Sequence, residues 1–293
     1  MISYRYVLYF VWKLLPTSFR NRVRLTRREN RIKKIASLTE SLDLKAFEQA
    51  INELPLKKDG VLFIHSGADW FRNVEGGSFK VLQMMLELME SGTVVMPSFP
   101  FDGMMSDYVE TQTFDVVKSP SKMGLVTELF RRTDGVRRSL HPSHSICAKG
   151  SDAKYLLNDH QNCIHPFESK SPFGRVIELR GQILLIGVGL EVLTHVHTCE
   201  DKLGAEFPLK VYERKIRDVT VIDHEQNPIK LQTYVHDKRV SIRKNINKIE
   251  QELMKKGILF IKSTMGVDIR LIDAYSLEEF LIEKAKSGYT IYD

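Results

Sequence analysis

Three short runs set the strongest limit on what this chain can fold into: VLFI (Val61–Ile64), TVVM (Thr93–Met96) and ILLI (Ile183–Ile186). Each is nearly continuous in apolar residues, with no polar position on alternate sites. A strand of that kind has no face to give to water, so it belongs inside a sheet covered on both sides. The segments between the runs carry helical periodicity: residues 42–54, SFKVLQMMLELMES at 78–91, SKMGLVTELFRRTD at 121–134 with Ser121 as N-cap, SDAKYLLND at 151–159, and SPFGRVIELRG at 171–181 with a glycine stop. SHSICAKG at 143–150 reads as a further strand. The alternation predicts an α/β fold with a central, mainly parallel sheet covered by helices. From about 211 to 231 the pattern changes to alternating, charged segments (KIRDVTVIDHEQNPIKLQTYV), which predict an antiparallel, strand-rich C-terminal elaboration. Helices are expected at 244–256 and near 276–286.

Charge divides the chain more sharply than its total suggests. Residues 1–34 hold ten Lys/Arg against one acid, Glu29, so this segment is +9 and the rest is −3 of a total of +6. The apolar run within it, Tyr6 to Leu15, is shorter than the roughly 20 residues a membrane span needs, and it lacks the small-residue cleavage site of a secretory signal. We therefore expect a basic amphipathic arm (1–34) followed by one α/β domain (35–293). An aromatic and leucine-rich run beside dense basic charge suits an anionic membrane surface; docking on the body or oligomerisation suits it equally. No groove-reading or base-stacking motif points to nucleic acid. The three cysteines, Cys147, Cys163 and Cys199, form no CxxC pair. They fit a reduced, cytoplasmic setting rather than a disulfide framework or a zinc clip.

Polar residues gather where the apolar runs end, which is where open α/β sheets carry their sites. VLFI runs into His65-Ser66, TVVM into Pro97-Ser98, and ILLIGVG into Thr194, His195, His197 and Glu200. Gly187-Val188-Gly189 lacks the third glycine of a dinucleotide fingerprint. His141 and His144 stand three apart across Pro142. In a strand they would face opposite sides, so a shared metal ion is not expected, and the spacing suggests a stiff turn shaping a pocket. His160 follows a helix, and His197 with Glu200 would share one helical face. A histidine and a carboxylate are the parts of a general base and its orienter.

The blocks LFIHSGADW…EGG, GTVVMPSF, MGLVTELFRR, RRSLHPSHSICAKG, DH…PF…SPFGR and ILLIGVGLEVLTHVHTCED, taken in that order, resemble those of the aminoglycoside 3-N-acetyltransferase family over Pro55 to Gly204, and more weakly to about residue 265. The resemblance implies an acetyl-CoA-dependent amine acetyltransferase. It sets the catalytic histidine at His160 and its carboxylate at Glu200, with His144 and His197 as further candidates. The HPxHS block becomes pocket architecture around the acyl donor. Ser66, Ser121, Gly124 and Ser145 become acetyl-CoA contacts, with a helix N-terminus at 121–124 suited to a phosphate. Ser66 and the backbone around Gly67 become candidate oxyanion donors.

The chain also departs from the family. Ser66-Gly67 stands where paired hydroxyls are usual, and His195 and Thr198 interrupt a block that is usually apolar. A polycationic aminoglycoside requires a strongly acidic cleft, which a body charge of −3 neither supplies nor excludes. The expected substrate is therefore an amino sugar in bacterial surface-polysaccharide assembly. The alternatives are an aminoglycoside and, from another class, a non-catalytic membrane-associated scaffold. A homo-oligomer stays open.

Overall fold

The computed structural model describes residues 43–292, apart from 102 and 104, together with scattered positions between 11 and 33. The basic arm expected at 1–34 lies largely outside the described residues. Among the described residues, no helix is long and apolar enough to cross a membrane.

Among the described residues, ten strands run in chain order: β1 (Val61–Ser66), β2 (Thr93–Pro97), β3 (Phe114–Asp115), β4 (Arg137–Arg138), β5 (Ile146–Gly150), β6 (Gln182–Ile186), β7 (Arg217–Ile222), β8 (Pro228–Thr233), β9 (Leu259–Thr264) and β10 (Val267–Asp273). Seven form the main sheet, in the order β4-β5-β2-β1-β6-β10-β9. The three apolar runs become its centre. β1 lies between β2 and β6, parallel to both. Outside this centre the sheet departs from expectation, because β5, β4, β10 and β9 all pair antiparallel. The fold class is α/β, but the sheet is parallel only in the middle. Short connections account for two of these pairings, β9 with β10 and β4 with β5. β9 and β10 are joined through Met265 and Gly266 at φ 49° and 77°, the twist that a two-residue hairpin turn requires. β4 and β5 are linked by the turn that holds both histidines of the HPSH block.

The principal helices are α1 (Leu44–Asn52), α2 (Gly77–Leu88), α3 (Leu125–Arg131), α4 (Ala153–Leu157), α5 (Pro172–Glu178), α6 (Thr198–Leu203) and α7 (Ala274–Lys286). On one face Phe47, Ile51, Leu82, Met85 and Phe130 pack on Leu62, Ile64, Val94, Met96 and Leu184. On the other, Leu156, Phe173, Val176, Leu277 and Phe280 pack on Phe63, Val95, Ile183 and Leu185. Successive residues of each central strand thus enter opposite cores, which is why those runs tolerate no polar alternation. Local signals fix the helix starts. Ser171 accepts from the Gly174 N–H ahead of Pro172, and Asp273 accepts from the Ser276 N–H.

The segment after 211 forms the expected antiparallel hairpin, β7 with β8. It builds a three-stranded sheet with β3 over its own small core of Phe114, Val116, Val219 and Val221. Gly187, at φ 63°, has a packing role: a Cβ there would lie 2.3 Å from the Trp70 ring, whose N–H donates to the Gly187 carbonyl at 2.8 Å.

Candidate active site

A cavity of about 300 Å³ opens where the chain leaves β2 and β6, and its walls include Phe99, Phe101, His144, His197, His236 and Lys244. This is the carboxyl edge of the parallel centre, where strands of one direction turn their following loops toward a common crevice.

His197 ends a short 3-10 turn, and α6 begins at the next residue, so Glu200 lies one turn further on the same face. The carboxylate of Glu200 is wholly buried and accepts from three directions: His197 Nδ1 at 3.1 Å, His236 Nε2 at 3.1 Å and the Tyr292 hydroxyl at 2.6 Å. Burial alone would raise its pKa, but the His197 and His236 imidazoles hold Glu200 well below the ordinary carboxylate range. Burial lowers His197 to about 4, against the opposing pull of Glu200. The combination is an ionised carboxylate against a neutral imidazole. Hydrogen-bond logic puts the His197 proton on Nδ1, facing Glu200, and so leaves the Nε2 lone pair to the cleft. The same three side chains, His197, Glu200 and His236, place ligand atoms within 4.8 Å of one another, a spacing that a divalent ion accepts.

The HPSH histidines lie in a turn rather than a strand, which corrects the opposite-face argument. His141 Nδ1 accepts the backbone N–H groups of Ser143 and His144, at 3.3 and 3.1 Å, and so ties the turn. His144 reaches the cleft, its ring packed on Phe99 and Phe167 with centroids at 4.7 and 4.9 Å. Burial, then the positive charge that His141 would carry, push its pKa well down.

His160 is not joined to Glu200. It is fully buried, with Nδ1 2.8 Å from the Ser139 hydroxyl and its ring stacked on His141 at 4.4 Å. Asp159, at φ 61°, turns the chain inward just before it. Two imidazoles bonded to Glu200 line the cleft instead, His197 and His236.

The expected donor contacts divide similarly. Ser66 ends β1, half-buried. Ser145 is buried, donating to the Ser98 carbonyl at 2.7 Å and accepting from Arg138 at 3.1 Å. The Ser121 N–H donates to Glu128 at 2.8 Å, so an internal carboxylate occupies the helix start that was expected to favour a phosphate. Gly124 serves as N-cap of α3 at φ 120°, a conformation that suits glycine. The Gly67 N–H, a candidate oxyanion donor, is already bonded to the Ile186 carbonyl at 2.9 Å.

Sequence reasoning missed His236, Tyr292 and Lys244. His236 follows β8 and bridges Tyr212, Lys244 lies eight residues on, and Tyr292 comes from beyond α7, so only long-range folding brings them to His197 and Glu200.

Residues 63–285 match the family profile described as aminoglycoside 3-N-acetyltransferase. The chain belongs to that family. It is 34% identical over 155 residues to aminoglycoside N(3)-acetyltransferase IV of Salmonella sp, a match covering 52% of this chain and 55% of that relative, so the chain spans about half of its length. Among solved structures, the apoenzyme of aminoglycoside acetyltransferase AAC(3)-IVa superposes with TM-score 0.70 at 24% identity, covering 87% of this chain and 92% of that one. AAC-IIIb in a binary complex with CoASH superposes with TM-score 0.68 at 19% identity, covering 83% and 95%. At these identities the superpositions establish the fold.

Proposed function

We propose that this protein transfers the acetyl group of acetyl-CoA to an amine on a sugar-containing acceptor, with His197 as general base and Glu200 as its orienter. The observation that carries this reading is the geometry of one imidazole: Nδ1 on a fully buried carboxylate, Nε2 toward the cleft. An attacking amine must lose a proton as its nitrogen bonds to the thioester carbonyl carbon. A neutral His197 takes that proton at Nε2, and Glu200 stabilises the imidazolium that forms. The C–S bond then breaks, and the proton passes from His197 to the departing thiolate, which yields the acetamide and free CoA thiol. Tyr292 and His236 hold the carboxylate in place. His144 lines the same cavity and is a candidate to steady the developing oxyanion; Ser66, at the end of β1, stays a second candidate.

The relatives are named for aminoglycosides, so an aminoglycoside is the first acceptor to test, ahead of the surface-polysaccharide amino sugar expected from charge alone. A complete His–Glu arrangement argues against a scaffold that has lost its chemistry. Membrane contact through the arm stays a proposal resting on its charge of +9.

The test is thiol release from acetyl-CoA, followed with a thiol reagent, in the presence of kanamycin, gentamicin and simple amino sugars. Release that depends on the amine is expected. No release across the panel from folded protein would overturn the reading.

A further inference from the structure

Among the described residues, which leave out Asp102 between the lining residues Phe101 and Gly103, no carboxylate lines the cleft that holds His197. Glu200 lies behind the wall with no exposed side-chain surface, and it is already engaged by His197, His236 and Tyr292. Asp107, on a neighbouring helix, is held by Lys238. What faces the cavity is a cation. Lys244 lines it, half-buried, and its ammonium forms no ion pair or hydrogen bond among the described residues. Glu191, whose charge bears on it, is exposed and accepts from the Gly189 N–H at 3.1 Å. Burial lowers the Lys244 pKa while these two carboxylates oppose the shift.

A cation held in a confined, apolar-walled space repels further ammonium groups more strongly than it would in water. It attracts a carboxylate or phosphate for the same reason, with a charge-assisted hydrogen bond added. The same cavity is lined by Phe99 and Phe101, stacked at 5.8 Å with ring planes 12° apart, a flat surface fit for the apolar face of a sugar ring. The phosphates of CoA do not explain Lys244. Lys244 and His197 line the same 300 Å³ cavity, whereas the pantetheine arm carries those phosphates far from the thioester.

We propose that the acceptor is an acidic amino sugar, whose carboxylate or phosphate Lys244 holds while its amine faces His197. This deepens the acetyl-transfer reading and rests on it. It also separates this cleft from one made for a polycation.

The test uses the full chain with acetyl-CoA and three acceptors: glucosamine, glucosamine 6-phosphate and kanamycin. Glucosamine 6-phosphate should exceed glucosamine in kcat/KM by about tenfold or more, as expected for one hydrogen bond to a charged group, with kanamycin the poorest. Lys244→Met should bring the ratio of the two glucosamines close to one, through KM, and Lys244→Glu should invert the ranking toward kanamycin. Kanamycin as the best wild-type acceptor would overturn the proposal. So would an equal fall in kcat for all three acceptors in Lys244→Met, because that would make Lys244 an oxyanion donor. If no acceptor releases thiol, the acetyl-transfer reading fails, and calorimetric binding to the wild type decides the charge question separately. Tighter binding of the phosphate sugar that is lost in Lys244→Met keeps the proposal; equal binding of all three acceptors ends it.

Discussion

Two groups of histidines lie in this molecule, and they differ in what surrounds them. His141 and His160 stack in the core with Ser139 and backbone groups as partners. His197 and His236 share an ionised carboxylate and reach a cavity. Burial depresses the pKa of His141 to about 3 and of His160 well below the usual value, and it depresses His197 to about 4. A lowered pKa therefore does not mark the base. What distinguishes His197 is a carboxylate to stabilise the protonated ring and an open side from which a proton can arrive.

The sharpest way to break the contrast is to remove one imidazole from each group. His197→Ala should lower kcat by about 10²–10⁴-fold with little effect on the melting temperature. Steady-state kinetics beside a thermal melt would show it, and turnover near wild type would remove His197 from the mechanism.

Glu200→Gln should cost on the order of 10²-fold in kcat, because an amide neither fixes the Nδ1–H tautomer nor stabilises imidazolium. A variant that loses stability but keeps its turnover would reduce Glu200 to a structural anchor for Tyr292 and His236.

His160→Leu should leave kcat within about tenfold of wild type while shifting stability by about 1–3 kcal/mol, the range for changing one buried hydrogen-bonded group. Its pH dependence has a definite sign. A buried histidine with a depressed pKa keeps folded protein neutral where the unfolded chain binds a proton, so its contribution is complete above about 6.5 and is lost as pH falls toward the folded value. The wild-type melting temperature should therefore drop between pH 6.5 and 4, and His160→Leu should flatten that slope. An unchanged slope would mean that His160 titrates normally in the fold.

These differences were partly legible in the sequence. The three apolar runs specified the parallel centre because strands buried on both faces admit no polar alternation. The outer strands were not specified in the same way, since their direction follows from turns such as Met265-Gly266, whose geometry a sequence states weakly. His197 and Glu200 were visible as neighbours through their helical spacing. His160 was misplaced because a motif match says nothing of which way a ring points, and here Asp159 turns it into the core. His236 and Tyr292 lie 36 and 92 residues from Glu200, beyond the reach of any local pattern.

The central claim, that the cleft-facing imidazole on Glu200 accepts the proton, is tested most directly by chemical rescue. Free imidazole added to His197→Ala should restore turnover in a concentration-dependent manner, because the truncated side chain leaves room beside Glu200 on an open cleft. The same addition to His160→Ala should do nothing, since that site is sealed. Rescue of the His160 variant alone would contradict the account and return the base to the core pair.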